Sequence, residues 1–136
     1  MTYINETFDN VYSLDIEKIE TNLNKYFDEH IINNDFIGII GEFNGNVVSV
    51  AYLIIYDFPA NPNIVNGKRG TLFNVYTFPE YRKKGIAERI IKEIIKEAKL
   101  RDIDSIDLKA TDDGYNLYKK LGFIDDNNYK GMILKM

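Results

Sequence analysis

Thr71-Leu72-Phe73-Asn74-Val75-Tyr76-Thr77-Phe78, followed by Pro79-Glu80-Tyr81-Arg82-Lys83-Lys84-Gly85-Ile86-Ala87, is the stretch on which the fold turns. Its first eight residues are rich in β-branched and aromatic side chains and predict a strand. Pro79-Glu80-Tyr81 predicts a turn. A helix follows, with apolar pairs Ile86/Ala87, Ile90/Ile91 and Ile94/Ile95, then Ala98, on one face. Glu88, Arg89, Lys92, Glu93, Lys96 and Glu97 fill the other face. The charge at the junction is unusual. A helix N-terminus carries roughly +0.5 of an elementary charge, so Arg82, Lys83 and Lys84 stand where the macrodipole opposes them. A helix built only to fold would open with Asp, Asn, Ser or Thr. Cations, free amides and a glycine that lets a ligand reach the backbone point to a bound phosphate or pyrophosphate. The plainer reading is a solvated basic turn that starts a helix.

The loop lacks the second glycine and the Lys-Ser/Thr of a nucleotidase phosphate loop, and it lacks the Gly-x-Gly-x-x-Gly of a dinucleotide fold. Tyr81 to Ala87 instead resembles the Arg/Gln-x-x-Gly-x-Gly/Ala motif of the GCN5-related N-acetyltransferase (GNAT) family. Leu117-Tyr118-Lys119-Lys120-Leu121-Gly122-Phe123 resembles a second segment of that family, in the right order and with a strand between. The resemblance runs from about Asp35 to the end of the sequence.

The resemblance implies an acetyl-CoA-dependent N-acetyltransferase acting on a primary amine of unknown identity by direct attack in a ternary complex. It implies that acetyl-CoA is the co-substrate and that no metal is needed. The pyrophosphate would lie on Arg82, Lys83, Lys84, Gly85, Ile86 and Ala87. The backbone of Val75, Tyr76 and Thr77 would pair with the pantetheine arm as an added strand would. Tyr118 would be the catalytic residue, hydrogen-bonding the coenzyme sulfur and protonating the departing thiolate. A non-catalytic acyl-CoA-binding or regulatory domain of the same fold is the alternative, because fold does not fix activity.

The composition fits this class. With 136 residues, 45% of them hydrophobic and 28% charged, the chain predicts one domain over 1–136. Residues 1–34 would be a divergent or shortened N-terminal helical part. No cysteine is present, so there is no disulfide framework, thiolate metal site or acyl-cysteine route. His30 is the single histidine, which rules out a histidine-rich metal centre. A net charge of −4 argues against general nucleic-acid binding. No apolar run suggests a membrane span and no leader is evident, so the expected setting is cytoplasmic, with an amine acceptor as partner.

Outward from the central stretch, Asp15 to His30 predicts an amphipathic helix through Ile16, Ile19, Leu23, Tyr26 and Phe27. Phe36 to Phe43 and Val47 to Tyr56 predict two strands joined at Asn44-Gly45, a strong hairpin signal. Pro59 to Gly70 reads as a loop. Ile103 to Ala110 predicts a strand, and Asp112 or Asp113 is expected to cap a short helix ending at Leu121. Thr111 is left between capping that helix and touching the coenzyme. Tyr129 to Met136 predicts a final strand with Met132, Leu134 and Met136 on one face. The fold class is α/β, a GNAT-like mixed and mostly antiparallel sheet flanked by helices. The first strand of the family, sought in Thr2 to Phe8, is expected to be absent or vestigial. The edge so exposed would favour a homodimer.

Two site residues are less defined. Asn74 and Tyr76 share a face by period two, and Asn74 is a candidate to bind the acceptor. The position that carries an acid in several relatives is Thr71, and Glu42 and Asp57 are the nearest carboxylates. Both read more simply as solvated strand ends, and His30 as a helix C-terminal cation. Tyr118 and Gly122 also have a purely structural reading: Gly122 as a left-handed C′ residue, with Phe123 packed on Tyr118.

Overall fold

The computed structural model describes residues 16–136, so Thr2 to Phe8 lies outside the described residues. Helix α1 spans Ile16–Ile32. Strand β1 (Phe36–Phe43) and strand β2 (Asn46–Asp57) form an antiparallel hairpin. Its turn residues Asn44 and Gly45 have φ of 50° and 80°, as a type I′ connection requires. Strand β3 (Lys68–Thr77) pairs antiparallel with β2. A 3₁₀ turn at Pro79–Tyr81 leads to helix α2 (Ile86–Leu100). Strand β4 (Ser105–Asp107) then runs parallel to β3, and helix α3 (Asp112–Lys120) follows. The sheet order is β1-β2-β3-β4, a mixed and mostly antiparallel α/β arrangement.

The two sheet faces are filled differently. On one, Ile90, Ile91, Ile94 and Ala98 of α2 pack with Ile37, Ala51, Leu53 and Leu72 into a single core cluster. This is the helix face that the four-residue apolar repeat marks. On the other, Tyr26 and Phe27 of α1 meet Phe36, and Phe27 also meets Tyr52. Aromatic pairs at such separations favour tilted or edge-on packing, as found for Phe36–Tyr52 and Tyr52–Phe73.

Four expected elements differ. The loop read over Pro59 to Gly70 ends early, because Lys68, Arg69 and Gly70 already pair with Asp57, Tyr56 and Ile55. The strand expected over Ile103 to Ala110 is hydrogen-bonded only at Ser105–Asp107, against Arg69–Thr71. Ile106 and Leu108 alternate because both pack against the core cluster, which fixes burial of a face but not a ladder partner. The helix cap is Thr111, not Asp112 or Asp113: its Oγ1 accepts from Gly114 N–H at 3.3 Å. Tyr129 to Met136 has strand composition, yet it adopts no strand and Met132, Leu134 and Met136 are exposed. Composition gives a segment its preference; a ladder requires a neighbour.

Packing is tight where β2 and β3 cross the core. A Cβ on Gly70 would stand 2.9 Å from Leu53 Cδ1 and 3.2 Å from its Cγ, and Leu53 is fully buried. Gly70→Val should therefore destabilise the fold by about 1–3 kcal/mol, the usual cost of overpacking. Chemical denaturation checks this, and an unchanged midpoint contradicts it.

Candidate active site

The geometry of the site begins with a fault in β3. Tyr52 faces Phe73 and Val50 faces Tyr76, so Asn74 and Val75 together oppose Ala51 alone. This is a β-bulge, and Asn74 adopts a left-handed φ of 50°. Asparagine enters that region more readily than β-branched residues do. The bulge resets the alternation. Phe73 packs with Tyr52 and Phe36 on the α1 face, while Val75 packs against the α2 core. Thr77 then turns its hydroxyl to Ser49 Oγ at 2.8 Å. The period-two expectation that puts Asn74 and Tyr76 on one face therefore fails. The readable signal was an asparagine inside an otherwise β-branched and aromatic strand.

A cleft follows from the pairing of β3 with β4. It ends at Thr71↔Asp107. Among the described residues, no strand neighbours 72–77 on that side. The bulge and the short ladder thus leave the Val75–Thr77 backbone beside a gap in the sheet. Some of its polar groups already have partners. Ser49 Oγ donates to Tyr76 O at 3.0 Å, and Arg82 Nε donates to Thr77 O at 2.7 Å.

At the end of β3 the chain enters the basic loop. Lys83 and Gly85 are both left-handed, with φ of 61° and 77°. Changes of hand between neighbouring residues line up successive amides into an anion-binding concavity. Gly85 is the N-cap of α2 and supplies no side-chain cap. The first helical hydrogen bond joins Arg89 N–H to Gly85 O at 3.2 Å. The amides of Ile86, Ala87 and Glu88 precede it and have no intrahelical acceptor. Apart from Gly85 and its chain neighbours, no heavy atom crowds the place where a Gly85 Cβ would stand. The cations are less uniform than the sequence suggests. Arg82 folds back onto β3, its guanidinium 5.4 Å from the Tyr76 ring centre, and Lys84 lies 5.7 Å over Tyr81.

Tyr118 is set by the end of α3. Phe123 N–H donates to Tyr118 O at 3.0 Å and Gly122 N–H to Lys119 O at 3.1 Å. Gly122 has φ of 100°, which completes a Schellman cap. The rings of Tyr118 and Phe123 are 5.8 Å apart and edge-on. Tyr118 also lines a cavity of about 570 Å³ with Asp107, Leu108, Ala110 and Phe123. Val75, Ile86 and Tyr118 all pack on the same core cluster, so the two motifs and the central strand converge. Glu88 in the first turn of α2 takes Lys120 Nζ at 3.1 Å and Lys92 Nζ at 3.3 Å. The Lys120 and Lys92 hydrogen bonds hold its carboxyl below the usual range. The Glu88–Lys92 pair is readable from its i,i+4 spacing. The Lys120 contact, which ties one motif to the other, has no local signal.

The carboxylates sort themselves by position. Asp57 pairs with Lys68 and Thr77 with Ser49, which puts Asp57 at the far end of β2, about 27 Å along the strand. It is removed from the cleft. Glu42 lies on β1, two strands from the gap, and lines a separate cavity with Ile86 and Arg89. Thr71 has an acidic neighbour that strand-by-strand reading missed: its hydroxyl donates to Asp107 Oδ1 at 2.7 Å. Asp107 also accepts from Arg69 at 3.2 Å, so its lone pairs are largely committed. His30 holds Asp35 at 2.9 Å at the end of α1 and belongs to the fold. Thr111 is the α3 cap.

The profile of the Acetyltransferase (GNAT) family matches residues 4–123, and the chain belongs to that family. An uncharacterized N-acetyltransferase, ycf52, of Pyropia yezoensis is 35% identical over 68 residues, 49% of this chain and 39% of that protein. Its counterpart in Porphyra purpurea is 34% identical over 68 residues, 49% of this chain and 39% of that protein. The matched stretch is thus well under half the length of these relatives. A predicted acetyltransferase of Clostridium acetobutylicum, crystallised with acetyl-CoA, superposes with a TM-score of 0.82 and 31% identity, covering 95% of this chain and 83% of that one. A GCN5-related N-acetyltransferase of Ralstonia eutropha JMP134 has the same fold, with a TM-score of 0.74 at 22% identity over 90% of this chain and 80% of that one.

Burial raises the Tyr118 phenol above its ordinary 10.0. The folded protein therefore holds this proton more tightly than the unfolded chain. That contribution to stability is present below about pH 10 and is lost as pH rises through the folded value. A difference ultraviolet titration of wild type against Tyr118→Phe should show one phenol ionising above pH 10. An ionisation below 10 contradicts the placement.

Proposed function

We propose that the chain is an acetyl-CoA-dependent N-acetyltransferase that acylates a primary amine by direct attack. The observation that carries this reading is the open, uncapped N-terminus of α2 beside the length of β3 that, among the described residues, no strand flanks on its β4 side. These features fit the ligand by chemistry. The amides of Ile86 to Glu88 and the left-handed turn at Gly85 suit a pyrophosphate. The β3 edge suits the two amides of a pantetheine arm, which would dock as a short strand. That the Clostridium acetobutylicum relative was crystallised with acetyl-CoA supports the choice of co-substrate.

In the reaction the amine nitrogen attacks the thioester carbonyl, the C–N bond forms and the C–S bond breaks. Coenzyme A leaves as thiolate and the amine loses one proton, so the products are an N-acetyl amide and a free thiol. Positioning of the two reactants supplies much of the rate. In this reading the Tyr118 phenol hydrogen-bonds the sulfur. Its raised pKa keeps it protonated at neutral pH, a donor always loaded. Reference values near 10 for a phenol and 8.5 for a cysteine thiol make complete transfer uphill by roughly 1.5 units. The phenol therefore stabilises the thiolate, and the proton released by the amine completes the balance. Among the carboxylates considered, none combines proximity to the cleft with free lone pairs, so water is the proton carrier in this account.

Gly85→Val should weaken acetyl-CoA binding more than Lys83→Ala or Lys84→Ala, because it blocks the approach to the amides while each exposed cation contributes under about 1 kcal/mol. Calorimetry reads the order directly, and equal affinity for Gly85→Val and wild type overturns the site.

Tyr118→Phe keeps the ring and its contact with Phe123. With an acceptor found by an amine screen that reports free thiol, turnover should fall by something like 10²–10³-fold, the loss typical of one hydrogen-bond donor to a developing anion, with coenzyme affinity nearly unchanged. Wild-type turnover where chemistry limits the rate would leave Tyr118 as packing alone. Tight coenzyme binding with no transfer to any amine would instead favour a non-catalytic acyl-CoA-binding domain.

A further inference from the structure

By helix chemistry Gly114 is out of place. It is the third residue of α3, whose N-cap is Thr111. A helix of nine residues depends on good helix formers, and glycine is the poorest apart from proline. Where a Ser or Thr cap is reinforced, this third position carries Glu or Gln, which reaches back to the cap. Gly114 brings neither propensity nor a side chain. Backbone freedom does not account for it, because its φ is helical and lies outside the left-handed region used by Gly45, Gly67, Gly85 and Gly122.

What Gly114 supplies is room. Residues four apart share a helix face, and a long side chain leans back toward the N-terminus over the residue four before it. For Tyr118 that residue is Gly114. A Cβ built on Gly114 would stand 3.0 Å from Tyr118 Cε2 and 3.5 Å from its Cζ, the carbon that bears the hydroxyl. Thr111 Oγ1, which accepts from Gly114 N–H, would be 3.5 Å from the same point. The ring thus rests on bare backbone in the first turn of its own helix. Carbon atoms in contact prefer about 3.5–4.0 Å, so an added methyl group would push the ring out by about 0.5 Å. There is space for that shift, since Tyr118 borders the cavity of about 570 Å³. The hydroxyl lies farther from the side chain's pivot than Cε2 and would move at least as far.

We propose that Gly114 is a positioning residue of the transfer reaction. By carrying no side chain it sets the depth of the Tyr118 ring, and with it the point at which the hydroxyl meets the departing sulfur. This rests on the reading of Tyr118 as the donor to the thiolate. Gly114 acts only through the ring. A hydrogen bond to a charged acceptor is short and directional, so a displacement of about 0.5 Å weakens it sharply. The poor helix former is retained because a better one would occupy the place of the ring.

Gly114→Ala should fold with an unchanged far-ultraviolet circular dichroism spectrum. Crystal structures of wild type and variant, both without coenzyme, should differ by about 0.5 Å in the position of the Tyr118 ring. With the acceptor from the amine screen, turnover should fall about tenfold while the KM for acetyl-CoA stays nearly constant, since 1 Å of misplacement can cost about 10²-fold. In a Tyr118→Phe background the same change should alter turnover little, because no hydroxyl remains to misplace. Asn116→Ala, at an exposed position of the same helix, also raises helix propensity and should leave turnover unchanged. A ring that keeps its wild-type position in Gly114→Ala overturns the proposal. So does wild-type turnover in that variant, an equal fall in the Tyr118→Phe background, or an equal fall in Asn116→Ala. Wild-type turnover in Tyr118→Phe alone refutes the donor reading instead, and the pair of crystal structures separates that result from a misplaced ring.

Discussion

The parallel pairing of β3 with β4 stops after three residue pairs, and most of what distinguishes this molecule depends on that stop. Had the ladder continued, the backbone of Val75–Thr77 would be satisfied by a neighbouring strand and closed to any ligand. Because it ends at Thr71, the C-terminal half of β3 is held from one side only, by β2. The bulge at Asn74–Val75 works in the same region. It brings Val75 onto the α2 core and turns Thr77 toward Ser49, so the half-paired strand stays anchored by side chains. A strand end flanked by β2 alone is further held in place by packing and by the buried Ser49 hydroxyl.

Helix α2 links that gap to the rest of the structure. Its apolar face supplies Ile90, Ile91, Ile94 and Ala98 to the core, which fixes where its N-terminus stands. The amides there remain uncapped because Gly85 has no side chain to offer. The nearby cations are partly engaged, Arg82 with Thr77 O and the Tyr76 ring, and Lys84 over Tyr81. Their individual contributions at an exposed surface are small and screened by salt. Backbone geometry, more than net charge, therefore defines the proposed anion site. Glu88 adds a mechanical link, since Lys120 ties the first turn of α2 to the last turn of the helix that carries Tyr118.

The elements legible in the sequence were those set by local chemistry. The period of α2, the Asn44-Gly45 turn and the Gly122 cap with its Tyr118–Phe123 contact each need only residues a few positions apart. The features that escaped depend on distant partners. Asn74 marks an irregularity in its strand, but no local residue names Ala51 as the one that will face the bulge, nor does Thr71 reveal that Asp107 will meet its hydroxyl. Ile106, Leu108 and the run from Tyr129 to Met136 carry strand-like alternation, yet only Ser105–Asp107 gains a ladder. Alternation reports which face is apolar; pairing is a property of the assembled sheet.

In the proposed coenzyme site, one gap in the sheet and one uncapped helix end act together. Amide hydrogen exchange, followed with and without acetyl-CoA, tests it most directly. New protection is expected at Val75–Thr77 and Lys83–Glu88, with the far end of β2 near Asp57 unchanged. Protection absent from both segments at saturating acetyl-CoA, or centred on the Glu42–Arg89 cavity instead, would contradict it.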